Sequence, residues 1–109
     1  MTELNINSAV TIGTTALEIS QERMNKNAER KSVSITNTSP AGQKISLAID
    51  NMAVSGAGIV LSVGGFWSDS ADGQYKPTQE QITAVSDAAG GTIALQERVE
   101  TAYFVGGRQ

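Results

Sequence analysis

Apolar and polar residues alternate along most of this chain. Val33 and Ile35 stand two apart among Ser32, Ser34 and Thr36, so one face of the segment is apolar and the other hydroxylic. Ile45, Leu47 and Ile49 repeat the pattern, as do Ile59, Leu61 and Val63. Ile93 and Leu95 open a further run, which Val99 extends. A side-chain period of two is what a strand with one buried face requires, and the β-branched content of these runs agrees. Val10-Thr11-Ile12 and Leu17-Glu18-Ile19 predict two shorter strands on either side of Gly13.

Turn-forming residues fall between the runs at hairpin-like spacing. Residues 37–42 carry Asn, Thr, Ser, Pro and Gly, Ser55-Gly56-Ala57-Gly58 precedes the third run, Gly64-Gly65 follows it, and Asp87-Ala88-Ala89-Gly90-Gly91 precedes the last. Residues 21–29 are polar without an apolar stripe and predict an exposed loop, with room for a helical turn. Pro77 and Glu80 could open a helix, but Ile82 and Ala84 alternate, which favours a strand over 81–86. The expected fold is all-β. It is one domain over residues 1–109, a single antiparallel β-sandwich of jelly-roll or immunoglobulin-like type. Its core spans about 30–100, with extended N- and C-terminal arms: residues 1–29 supply N-terminal strands and the polar loop, and 101–109 form a tail.

Composition removes several function classes. The chain has 109 residues, a formal charge of −3 and no cluster of Lys or Arg, whereas nonspecific binding of nucleic acid needs a basic surface. No apolar run approaches the ~20 residues that span a bilayer. The polar start, with Glu3, does not read as a signal peptide, so the expected site of synthesis is the cytoplasm of the producing cell. There is no histidine and no cysteine. The usual acid–base shuttle, thiol nucleophile and nitrogen or sulfur metal ligands are therefore missing, and neither a Ser-x-x-Lys nor a Gly-x-Ser-x-Gly pattern occurs. No catalytic activity, no cofactor and no metal is expected.

The remaining candidates are few. Glu97 and Glu100 lie at odd spacing on one strand and are expected to be solvated or paired with Arg98 and its neighbours. Gly56-Ala57-Gly58 leads into a strand, the wrong context for a phosphate cradle. Asp69-Ser70-Ala71-Asp72-Gly73 offers loop carboxylates and a glycine, but without the closing acid of an EF-hand it reads as an Asx-type turn. Asn37-Thr38-Ser39 fits the glycosylation sequon, and with Pro40 after it reads as turn chemistry. Phe66 and Trp67 must face opposite ways on a strand, so one enters the core and the other lies outside. Trp67, Tyr75 and the tail residues Tyr103, Phe104 and Val105 are the candidate interface, since exposed aromatics anchor contacts.

Three segments together carry a resemblance. They are Arg30-Lys31-Ser32-Val33-Ser34-Ile35-Thr36-Asn37-Thr38-Ser39, Gly58-Ile59-Val60-Leu61-Ser62-Val63-Gly64-Gly65-Phe66-Trp67, and Ile82-Thr83-Ala84-Val85-Ser86 followed by Gly90-Gly91-Thr92-Ile93-Ala94-Leu95-Gln96-Glu97-Arg98. This order resembles small β-sandwich structural proteins of bacteriophage virions, which decorate or cement capsids, form vertices, or anchor fibres and spikes. The resemblance covers residues 30–98 and has no catalytic residue to carry over. It implies a virion component that contacts capsid or other virion proteins, homo-oligomeric or bound to a lattice, with no nucleic acid and no membrane insertion. The competing expectation is a carbohydrate- or receptor-binding module built on Trp67, Tyr75 and residues 69–73.

Overall fold

The computed structural model describes residues 2–23 and 28–101. Its described elements are eight strands: β1 (Thr2–Ile12), β2 (Leu17–Ser20), β3 (Ala28–Asn37), β4 (Ile45–Ile49), β5 (Ile59–Leu61), β6 (Phe66–Ser70), β7 (Ile82–Ser86) and β8 (Gly91–Thr101). They form two four-stranded antiparallel sheets with orders β1-β8-β3-β6 and β2-β7-β4-β5. Consecutive strands hop between the sheets except for β4 and β5, which form a hairpin in one sheet, and the chain's last strand returns beside its first. That is the connectivity of a jelly roll, and it decides between the two sandwich types expected.

The alternation read from the sequence is the alternation that builds the core. In sheet β1-β8-β3-β6, Val10 pairs with Ile93 and Ile35 pairs with both Leu95 and Trp67. In the other sheet, Leu47 pairs with Ile59 and Ala84. Ile12, Ile35, Ile45, Leu47, Ile82 and Ile93 are all completely buried between the layers. The core therefore begins earlier than residue 30, because β1 contributes Ile12 to it. The extended N-terminal arm is a strand: β1 runs eleven residues, far beyond the expected Val10–Ile12 segment, and pairs with β8 throughout. The alternation ends sooner than expected at Val63. β5 stops at Leu61, and Ser62 accepts the Gly65 N–H in a tight turn whose Gly64 N–H reaches back to the Asn37 carbonyl.

The two outer faces differ. Residues 50–58, linking β4 to β5, fold back over the outside of sheet β2-β7-β4-β5. Asn51 accepts from the Thr83 hydroxyl at 2.6 Å, and the Gly56 N–H donates to Ser46 Oγ at 2.9 Å. As a result Thr83, Val85 and Ser46 are buried although they face outward. Gly58 fixes this flap. It has φ +78°, and a Cβ there would lie 2.6 Å from the Leu47 carbonyl oxygen. Gly58→Ala is expected to destabilise by about 1–3 kcal/mol in urea unfolding. Gly42→Ala, at φ +83° but with nothing within 4 Å, should cost only its share of backbone strain. The gap between the two variants measures the clash.

Candidate assembly surface

Among the described residues nothing covers the outer face of the other sheet. Its rows of side chains run Ala9, Ala94, Thr36 and Phe66, then Asn7, Gln96, Ser34 and Ser68. None is charged, and most are small; Phe66 is the large exception, 67% exposed at the β6 edge. Charge gathers at the far end of the same face. There Lys31 pairs with Glu29 at 3.3 Å and Glu100 at 3.5 Å, and Arg98 pairs with Glu3 at 3.3 Å. The hydrogen bond from Lys31 to Glu29, and the charges of both acids, raise the ammonium's pKa above its ordinary value despite some desolvation.

Strand β1 is the edge of this sheet, and β2 is the edge of the opposite one. They lie on the same side of the sandwich and are not hydrogen-bonded to each other. Between them opens a groove of about 290 Å³ lined by Ile6, Ser8, Val10, Ile19, Ser20, Arg23 and Leu95, among others. Its cause is legible in the pairing. The inward-facing row of β1 is Leu4, Ile6, Ser8, Val10 and Ile12, opposite Val99, Glu97, Leu95, Ile93 and Gly91. Ser8 interrupts that apolar row over Leu95 and is itself exposed, so its small side chain leaves a gap.

The far wall of the groove is held by a buried ionic cluster. Arg30 is fully buried, and all five of its guanidinium N–H groups have acceptors. Nε donates to Glu97 at 2.8 Å, Nη1 to the Thr78 and Glu80 carbonyls, and Nη2 to Ser20 Oγ at 2.6 Å and the Gln21 carbonyl at 3.0 Å. Ser20 Oγ sits 3.1 Å from both Glu97 oxygens, and Arg23 adds an ion pair to Glu97 at 3.2 Å. Burial pushes the Glu97 carboxyl up, but hydrogen bonds and charge from Arg23 and Arg30 outweigh it and hold the group below its ordinary value. The cluster ties β8 and β3 of one sheet to β2 of the other. Gln79 completes it by accepting the Arg30 N–H at 2.7 Å and donating to the Arg30 carbonyl at 2.9 Å.

Glu97 is thus neither solvated nor paired with Arg98, as the sequence suggested. It faces inward with Leu95 and Val99, and its partners come from distant strands. Trp67 is half-buried and packs against the core, while Phe66 faces out, as alternation required. Tyr75 is 55% exposed and donates to Asp69 at 2.6 Å, which raises the phenol's pKa. Asp69 belongs to strand β6 rather than a loop, and its other oxygen accepts the Thr78 N–H at 3.0 Å. Tyr75 thus packs with Asp69 and bridges Asp72, whereas Trp67 turns inward, so the two aromatics do not form one exposed platform. Tyr103, Phe104 and Val105 lie outside the described residues.

No protein-family model matches the chain, and no curated protein sequence matches it. Solved structures share its fold. One is a chain of the Bacillus endospore appendages, a family of disulfide-linked pili, at TM-score 0.59 and 17% identity, covering 94% of this chain and 88% of that one. Another is a chain of the acidic stable capsid of Helicobacter pylori bacteriophage KHP30, at TM-score 0.51 and 12% identity, covering 91% and 87%. At these identities the likeness is one of fold.

Proposed function

We propose that this protein is a non-enzymatic structural subunit of a multi-subunit particle, a bacteriophage virion component that decorates, cements or forms vertices of a capsid. The observation that carries the reading is β1. It is an eleven-residue edge strand with one charged residue, Glu3, and no proline. Natural monomers blunt such edges with charge, proline or a covering loop. Here the edge borders a groove and a face that no described residue covers, uncharged over the rows from Ala9 to Phe66 and from Asn7 to Ser68, a combination suited to addition of a neighbour's strand. The fold likeness to chains of a capsid and of pili supports the same reading. Lacking cysteine, the chain would assemble without disulfides.

Light scattering over a concentration series tests this. The purified protein is expected to exceed its 11.4 kDa monomer mass progressively as concentration rises. The double variant Asn7→Lys, Ala9→Lys places two charges on the outer face of β1 and should remain monomeric with an unchanged melting temperature. A wild-type protein that stays monomeric throughout the series would count against the proposal.

A further inference from the structure

We infer that the groove between β1 and β2 receives residues 103–105 of a second copy of this chain, joining subunits head to tail. The inference rests on the assembly reading above and names the contact that would carry it. Residues 102–109 follow directly from β8 and carry three successive apolar side chains, Tyr103, Phe104 and Val105, with Arg108 as their only charge. The groove offers the complement: half-buried Ile6, Val10 and Ile19 around the gap at Ser8, with exposed Glu18 on its rim. An extended segment added along the free edge of β1 sends alternate side chains to opposite faces. Either Phe104 or the Tyr103 and Val105 pair then enters the gap.

Reach decides between a chain's own tail and its neighbour's. Thr101 pairs with Thr2, at the end of β1, and Ser8 lies six residues further along that strand, a distance of roughly 20 Å. Phe104 follows Thr101 by three residues and reaches at most about 11 Å from it. A chain's own Tyr103, Phe104 and Val105 therefore fall short of the gap at Ser8. The tail of another copy, arriving from outside, meets no such limit. Tail and groove are different surfaces, so the contact is heterologous, and such contacts propagate into rings or filaments.

Two full-length variants test the pairing. Tyr103→Asp with Phe104→Asp spoils the tail on both faces and leaves the groove intact. Ser8→Trp fills the groove at an exposed position and leaves the tail intact, with a melting curve to confirm folding. Each alone is expected to be monomeric, and an equimolar mixture should give a 1:1 dimer and nothing larger, because only one tail and one groove remain. If the mixture stays monomeric, or the tail variant assembles as the wild type does, the inference is overturned. If the tail variant assembles while the Lys pair on β1 does not, assembly stands and only this contact falls. A wild-type monomer at every concentration removes both.

Discussion

Glu97→Ala should lower the unfolding free energy by about 3–5 kcal/mol, the range for breaking a buried ion pair from one side. The reason lies in what the substitution leaves behind. Arg30 is completely buried, and its Nε loses its acceptor while Arg23 loses its carboxylate. Removing both charges, as Arg30→Met with Glu97→Leu, should cost less than the sum of the single changes, since no unpaired charge then remains inside. The double variant still falls short of wild type, because the Thr78, Glu80 and Gln21 carbonyls lose their donor. The cluster also sets an acid limit. The folded Glu97 carboxyl lies below its ordinary value of 4.5. Between those two values the unfolded chain binds a proton that the folded chain does not, so stability falls as pH falls through that window and is fully present above it. Urea unfolding at neutral and acid pH should show this slope in wild type, and Glu97→Gln should have lost the part that Glu97 contributes.

The same cluster shows where the sequence stops being readable. Period-two alternation located the strands because it reflects which side chains are buried, and Val33, Ile35, Ile45, Leu47, Ile93 and Leu95 all occupy the faces it assigned. It could not place Arg30. Counting back from inward-facing Val33, Arg30 falls on the outer face. A bulge at Lys31, between Arg30 paired with Val99 and Ser32 paired with Arg98, turns it inward. A second bulge, between Glu18 and Ser20, does the same for Ser20 on β2. Bulges insert one residue without a compositional mark, so neither inward turn could be counted from the pattern. Glu97 is a different case, since it shares the parity of Ile93, Leu95 and Val99. A carboxylate in an apolar register signals a buried charge that needs a partner, and that signal was present. The groove was half legible: Ser8 breaks the row of Leu4, Ile6, Val10 and Ile12, but only once β1 is known to begin at Thr2.

Asn37 closes the other end of β3, and Asn37→Asp is expected to be worse than Asn37→Ala, against the usual ranking by size. The residue ends a strand and is fully buried, which turn chemistry alone does not require. Its Nδ2 donates to the Gln43 and Leu61 carbonyls, both at 2.8 Å, and its Oδ1 accepts the Ser39 N–H at 2.9 Å. Alanine takes the side-chain partner from those three backbone groups, a loss of about 2–4 kcal/mol if part of the gap is rehydrated. Aspartate keeps the acceptor but points a second oxygen, and a charge, at two carbonyl oxygens in a fully buried site. That environment favours the protonated acid, whose O–H can donate to one of the two carbonyls, so the folded pKa of the new group must rise. A raised folded pKa makes the deficit largest at neutral pH and smaller as pH falls through it. Urea unfolding of both variants beside wild type, at neutral and mildly acid pH, separates the outcomes. A deficit for Asn37→Asp that exceeds that of Asn37→Ala at neutral pH and narrows in acid supports this bracketing of the Gln43 and Leu61 carbonyls by Asn37. Equal deficits independent of pH would mean that water already reaches the Nδ2 site.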